Sequence, residues 1–219
     1  MLQPEKIIIA DDHPLFRQAL LSTLQAKFAS TDWQQAETIA DLEQTLTEHK
    51  DADLLLLDLN IPGAHGFNAL IYIRTHYPQL PVVIVSGYED SETISKAIDL
   101  GAAGFIPKST PVDTIFQAIV DVLAGQVWLP SGFTPIASEE QQGDIIERVA
   151  SLTQQQHRIL MMFAEGLLNK QIAYDLNVSE ATIKAHATAI FRKLNVRNRT
   201  QAVIAISQLD VPESGFHQE

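Results

Sequence analysis

Apolar residues fall along this chain in two kinds of run. Unbroken runs such as Lys6-Ile7-Ile8-Ile9-Ala10, Leu54-Leu55-Leu56-Leu57 and Pro81-Val82-Val83-Ile84-Val85-Ser86 are too short for helices. They read as strands buried on both faces. Gly104-Phe105-Ile106 is a shorter strand of the same kind, and Trp33 to Glu37 a weaker one. Between these runs the apolar positions recur at helical spacing. Leu15, Phe16, Ala19, Leu20 and Leu24 follow Pro14, a residue suited to a first helical turn. Leu42 and Leu46 mark a helix from Ile39 to about His49. Phe67, Leu70, Ile71 and Ile73 mark another, ending before Pro78. Ser91 to Leu100 and Pro111 to about Leu123 complete the set. Five strands alternating with five helices predict a doubly wound α/β domain over residues 1–125.

The pattern then changes. Gly125 to Gly143 mixes Gly, Pro, Ser and Gln, so residues 126–149 read as a linker, with Asp144 to Val149 a short helix leading out of it. Residues 150–208 return to helical periodicity, with helices over Gln154–Glu165, Lys170–Leu176, Glu180–Leu194 and Arg199–Gln208. Thr153 and Gln156 have capping-box spacing. Asn169 and Ser179 suit N-caps, and Gly166 and Asn177 suit left-handed stops. Residues 209–219 lack apolar periodicity and read as a loose tail.

Charge sharpens this division. The formal net charge is -12. Yet Leu152 to Ile206 carries seven basic residues (Arg158, Lys170, Lys184, Arg192, Lys193, Arg197, Arg199) against three acids (Glu165, Asp175, Glu180). That segment is therefore about +4 and the remainder about -16, as expected for an acidic module joined to a nucleic-acid module. There is no cysteine, which excludes disulfides, thiol nucleophiles and thiolate metal sites. No signal peptide is visible at the start, and no run approaches the roughly 20 apolar residues of a membrane span. A soluble cytoplasmic protein is the expectation.

Candidate chemistry collects at the strand ends. Asp11 and Asp12 follow the first strand, Asp58 the third, Ser86 ends the fourth, and Lys108 follows the fifth. In a parallel sheet these positions converge on one edge, where open α/β sheets form their sites. Three carboxylates carry about -3 there and repel one another in a partly buried pocket. A divalent cation with oxygen ligands offsets this, and Mg²⁺ fits best. Lys108 supplies a point charge for a phosphate oxygen, the Ser86 hydroxyl can donate to another, and Asp58 is placed to attack phosphorus in line. Taken singly, Asp58 is equally a strand-end turn acid and Asp12 a helix-dipole partner. Other motifs are weaker. Gly101 to Ser109 lacks the glycine that directly precedes the lysine of a phosphate loop. The histidines show no recurring metal-ligand spacing, and no Gly-x-Ser-x-Gly is present.

Asp11-Asp12, Asp58, Ser86 and Lys108 resemble the receiver domain of two-component response regulators, from about Lys6 to Leu123. The resemblance implies a flavodoxin-like (βα)5 fold and transfer of a phosphoryl group to Asp58 from a sensor histidine kinase. It implies Mg²⁺ held by Asp12, Asp58 and the Asn60 carbonyl, with Asp11 assisting. Ser86 and Lys108 would read the phosphoryl oxygens, Gly87 leave room for them, and Tyr88 modulate hydrolysis. Phe105 matches the aromatic switch position but has no hydroxyl. Ser109 stands after the lysine where the family has proline. Such a protein is not an enzyme beyond its own phosphorylation and slow dephosphorylation.

In the helix after Ser179, Ile183, Ala187, Ile190, Phe191 and Leu194 cluster on one side. The other side shows Ala181, Ala185, Thr188, Ala189 and Arg192, flanked by Lys184 and Lys193. Small exposed residues with basic flanks let a helix enter a major groove closely, although an ordinary amphipathic helix has the same pattern. Leu152 to Ile206 resembles the four-helix, helix-turn-helix domain of the LuxR type. The resemblance rests on Gly166-Leu167-Leu168-Asn169-Lys170-Gln171-Ile172-Ala173, Val178 to His186, and Lys193 to Ala202. It implies that Lys184, Ala185 and Thr188, with Thr182 and Arg192 beside them, face double-stranded DNA, while Asn169, Lys170, His186 and Arg199 hold the backbone. By angle His186 lies beside the apolar face, which leaves it open between a structural role and a DNA contact.

The combined expectation is a transcriptional regulator of the NarL/FixJ type, homodimeric when phosphorylated. Two alternatives from other classes stand beside it: a receiver set by a ligand or partner protein, and a helical domain that binds protein instead of DNA.

Overall fold

A computed structural model of the chain describes residues 3–64, 66–134, 143–207 and 209. It divides into two compact units at residues 138/139.

In the first unit, β1 (Lys6–Ala10), β2 (Asp32–Ala36), β3 (Leu54–Leu57), β4 (Val82–Ser86) and β5 (Gly104–Pro107) alternate with α1 (Pro14–Lys27), α2 (Ile39–Glu48), α3 (Asn68–His76), α4 (Ser91–Asp99) and α5 (Val112–Leu123). All strands are parallel, in the order β2-β1-β3-β4-β5. The doubly wound architecture is as the alternation predicted. The four leucines of β3 show why the run is unbroken: all four are buried, and their side chains alternate between two cores. Leu55 and Leu57 join Ile8, Ile84 and Phe105 in the core that α2, α3 and α4 cover. Leu54 and Leu56 join Ile7, Ile9, Val83 and Ile106 under α1 and α5. A strand with oil on both faces has no polar alternation to show. Removing one such side chain, as in Leu56→Ala, costs about 2–5 kcal/mol.

Strand order reverses between β1 and β3, the place where such sheets open a crevice at their carboxyl ends. The backbone ladder continues one step past the strands there. Asp58 N–H donates to the Ala10 carbonyl (2.8 Å), Asp11 N–H to Ala36 (3.1 Å) and Lys108 N–H to Ser86 (2.7 Å). The residues carrying the chemistry are therefore fixed by the sheet, not by loose loops.

The chain leaves α5 along the free edge of β5, where Trp128 forms a parallel bridge with Gly104. In the second unit, α6 (Gly143–Ala150), α7 (Gln154–Ala164), α8 (Asn169–Asp175), α9 (Glu180–Leu194) and α10 (Arg199–Ser207) form a helical bundle. Helices α6, α7, α8 and α10 all pack on α9, whose Ile183, Ala187, Ile190 and Leu194 are buried. The capping box at Thr153 and Gln156 is present in both directions. Ser179 caps α9 by accepting from Thr182 N–H at 3.1 Å. One expectation is corrected: Asn169 is the first residue of α8, not its N-cap. Gln171 Oε1 instead accepts from the Leu168 N–H at 2.7 Å, so a side chain within the helix reaches back to the preceding residue. Gly166 and Asn177 take left-handed φ values of 85° and 51° as expected, and Asn195 does so at 56°. Among the described residues, no helix is long and apolar enough to cross a membrane. The expected tail from residue 209 onward lies, apart from Leu209, outside the described residues.

Candidate phosphoryl and DNA sites

At the carboxyl edge of the sheet, Asp58 is only 2% exposed and Asp11 equally so, while Asp12 is half-buried. Lys108 reaches across from the end of β5. Its Nζ lies 2.7 Å from Asp58 Oδ2 and 2.8 Å from Asp11 Oδ2. The second oxygen of Asp58 accepts from Asn60 N–H at 3.2 Å, and Asp11 Oδ1 accepts from His13 N–H at 2.7 Å. Burial pushes the Asp58 pKa up, and Asp11 adds to that; the bond and charge of Lys108 act in the opposite direction without overcoming them. For Lys108 burial disfavours the charge, but its bonds to Asp11 and Asp58 outweigh this and raise its pKa. The lysine stays charged between two crowded acids.

One ammonium cannot neutralise three carboxylates. Ligand atoms of Asp11, Asp12, Asp58 and His13 lie within 4.8 Å of one another, a cluster able to hold a metal ion. Hard carboxylate oxygens dominate the set, which fits a small divalent cation such as Mg²⁺.

Ser86 is fully buried, and its Oγ accepts from Tyr88 N–H at 3.2 Å. Ser86 pairs with Pro107 in the sheet, so hydroxyl and lysine stand on adjacent strand ends. Phe105 is also fully buried, its ring in the core beneath α4.

On the second unit, α9 turns an exposed stripe of Ala181, Lys184, Ala185, Thr188 and Arg192 to solvent, with Thr182, His186 and Ala189 half-buried at its borders. The Thr182 hydroxyl is engaged with that of Ser179 at 2.8 Å. Lys184 pairs with Glu180 at 3.1 Å along the helix, an exposed contact worth little. Lys170 is exposed at the start of α8 and Asn169 half-buried beside it.

The first unit matches the response regulator receiver domain model over residues 7–120, and the second matches the bacterial regulatory proteins, luxR family model over residues 150–206. The chain belongs to the response regulators. The glycerol metabolism activator of Pseudomonas putida is 42% identical to it, across 94% of this chain and 96% of that protein. The nitrate/nitrite response regulator protein NarL of Escherichia coli (strain K12) is 30% identical across 94% and 96%. Among solved structures, RcsB from Salmonella enterica serovar Typhimurium bound to promoter rprA in the presence of phosphomimetic BeF3- is similar, with TM-score 0.52 and 26% identity. It covers 94% of this chain and 99% of that one. A LuxR family DNA-binding response regulator from Silicibacter pomeroyi has TM-score 0.52 and 30% identity over 58% of this chain and 98% of that one. This response regulator thus joins a receiver to a LuxR-type DNA-binding domain, the composition of a transcription regulator.

The fold of this response regulator brings Asp11, Asp12, Asp58, Asn60, Ser86 and Lys108 to one edge. Arg199, half-buried, is held by backbone acceptors. The Arg199 guanidinium donates to the carbonyls of Leu167 (2.7 Å) and Phe163 (2.8 Å) and lies over the Phe163 ring at 4.7 Å. The carbonyl of Phe163 in α7 and that of Leu167 in the loop beyond it thus hold a guanidinium that the resemblance gives to the DNA backbone.

Four residues of the response regulator have contacts that their sequence positions do not announce. His13 Nδ1 lies 2.7 Å from Asp12 Oδ1 at the mouth of the acidic site. The ring of Phe16 lies under Lys108 Nζ at 5.0 Å. Buried Arg17 donates to the Asp11 carbonyl at 2.5 Å and pairs with Glu37, so it holds the turn after β1. Lys193 donates to Ser151 O (2.6 Å) and Gln156 Oε1 (2.8 Å), tying the end of α9 to α7. Only the neighbouring position of His13 and Phe16 to the paired acids gave a usable signal.

Proposed function

We propose that Asp58 is the phosphoacceptor of this regulator and that its modification controls dimerisation and DNA binding. The observation that carries this reading is Lys108 bridging Asp58 and Asp11 at the crevice between β1 and β3. A carboxylate oxygen of Asp58 attacks phosphorus, and the bond from phosphorus to the donor breaks as the new P–O bond forms. The donor is a phosphohistidine of a sensor kinase, or a small acyl phosphate in its place.

Asp12, Asp58 and the Asn60 carbonyl would hold Mg²⁺, with Asp11 assisting. The ion would neutralise the acids and the incoming phosphoryl oxygens. Lys108 then exchanges part of its hold on Asp58 for a phosphoryl oxygen, and the buried Ser86 hydroxyl donates to another. Phe105, buried on β5 two strands from Asp58, carries the change as the switch residue.

In the DNA-binding domain, Lys184, Ala185, Thr188 and Arg192 face bases, with Thr182 and His186 at the edge of the stripe. Asn169 and Lys170 meet backbone phosphates. Arg199 positions α10 against α7 in place of a phosphate contact. Two copies in a dimer would present two such helices to paired half-sites.

The test is incubation with acetyl phosphate and Mg²⁺ followed by intact-mass measurement. The wild-type chain takes up one phosphoryl group, and Asp58→Ala takes up none. Equal uptake by the variant contradicts the assignment.

A further inference from the structure

We infer that the segment following α5, residues 126–134, is a strap on the β5 edge that is loosened when Asp58 is phosphorylated, passing the receiver's state into the connection toward the DNA-binding domain. The inference rests on the proposed phosphorylation of Asp58.

The strap is built into the sheet. Phe105 N–H donates to the Trp128 carbonyl at 3.0 Å, and Trp128 N–H donates to the Ala103 carbonyl at 3.2 Å. Gly104, between them, has no side chain for a steric reason: a Cβ there would lie 3.0 Å from Trp128 O and 3.3 Å from Trp128 Cβ. Side chains anchor the strap on both faces of the sheet. Trp128 packs against the core under α1 and α5, whereas Leu129 and Phe133 pack against the opposite core, which contains Phe105. A composition rich in Gly and Pro thus conceals an isolated bridge on the outer edge of β5.

The far end of the same strand is held by the phosphoryl site. Beyond Pro107, Lys108 places its ammonium on Asp58 and Asp11, both toward the interior of the sheet. A phosphoryl group on Asp58 takes the place that Lys108 now occupies at 2.7 Å from that carboxylate, so the ammonium must re-seat on a phosphoryl oxygen. The end of β5, already paired with β4, shifts with its lysine against a strap that sits on its outer edge. The two hydrogen bonds of this single bridge oppose the movement, a contact small enough to be exchanged for a charge-assisted bond. A continuous series of contacts therefore joins Asp58, Lys108, the β5 backbone and Trp128.

The experiment uses full-length Trp33→Phe protein, which leaves Trp128 as its one tryptophan, with acetyl phosphate and Mg²⁺ and with phosphoryl uptake measured on the same sample. Uptake should shift Trp128 emission to the red and speed amide exchange at Phe105 and Trp128 about tenfold. Asp58→Asn should show neither change. Uptake without either change overturns the strap while leaving the phosphoacceptor intact; absence of uptake overturns both.

Gly104→Ala, which crowds Trp128, should bind a duplex selected from a random-sequence library as tightly without phosphoryl as the phosphorylated wild type does. Where that variant does not fold, Leu129→Ala with Phe133→Ala loosens the same strap and should act likewise. Full dependence on phosphorylation in a folded variant whose Trp128 amide exchanges freely contradicts the proposal.

Discussion

The ammonium of Lys108 lies 2.7 Å from Oδ2 of Asp58, fifty positions earlier in the chain. Both groups are largely withdrawn from water, so each depends on the other more than a surface pair does. Lys108→Met removes the counter-charge and leaves Asp58 and Asp11 facing each other. Breaking a buried pair in this one-sided way destabilises by about 3–5 kcal/mol at most, with less here because the edge is open. Urea unfolding of the receiver transition, without divalent cation, should show a loss of at least about 1 kcal/mol. An unchanged midpoint would show that the pair contributes nothing.

Asp58→Asn should act in the opposite direction. Burial raises the Asp58 pKa, so the folded chain holds that proton to higher pH than the unfolded chain. The stability this provides is full below the ordinary carboxylate range and is lost as pH rises through the raised value. Asparagine removes the loss, and Lys108 keeps Asp11 as its partner. The variant should therefore be more stable than wild type at pH 7, with a gap that narrows toward pH 4. A gap that widens on acidification contradicts the burial argument.

Adding Mg²⁺ should raise the unfolding temperature of the receiver by linkage, since the unfolded chain has no such cluster. Asp12→Ala should weaken that effect at least about tenfold, or ~1.4 kcal/mol. Calorimetric titration of both proteins measures it directly, and equal affinities would remove Asp12 from the ligand set.

The basic residues separate by what holds them. Lys170→Ala should weaken binding to specific and random duplex alike and lower the salt slope by about one. Lys184→Ala should cost about 1–3 kcal/mol of discrimination between them. Arg199→Ala should leave the salt slope unchanged and instead destabilise the helical domain by about 1–3 kcal/mol. Arg199→Lys should not restore it, because one ammonium cannot reproduce a planar fork on two carbonyls. A reduced salt slope in Arg199→Ala would return that residue to the DNA surface.

The architecture was legible because its signals are local. The unbroken runs Ile7–Ile9, Leu54–Leu57 and Val82–Val85 required burial on both faces, and the strand ends then placed Asp11, Asp58 and Lys108 together. The roles of Arg17 and Arg199 were not legible. Arg17 is fixed by Glu37 and the Asp11 carbonyl, and Arg199 by the carbonyls of Phe163 and Leu167, more than thirty positions away. Such backbone acceptors leave no mark in a sequence. Trp128 escaped for a related reason: its partner is the free edge of β5, and an edge exists only once the sheet is assembled. Asn169 was misplaced because Asn suits a cap, and nothing local showed that Gln171 would supply the reciprocal bond.

Chemistry at Asp58 should govern DNA binding. The measurement is the affinity of full-length protein for a library-selected duplex at fixed salt, before and after acetyl phosphate with Mg²⁺, with phosphoryl uptake measured on each sample. Wild-type affinity should rise about tenfold or more with uptake, equivalent to ~1.4 kcal/mol. Asp58→Ala should stay at the unmodified value throughout. An equal rise in that variant, or full uptake by the wild type with no change in affinity, would contradict the account.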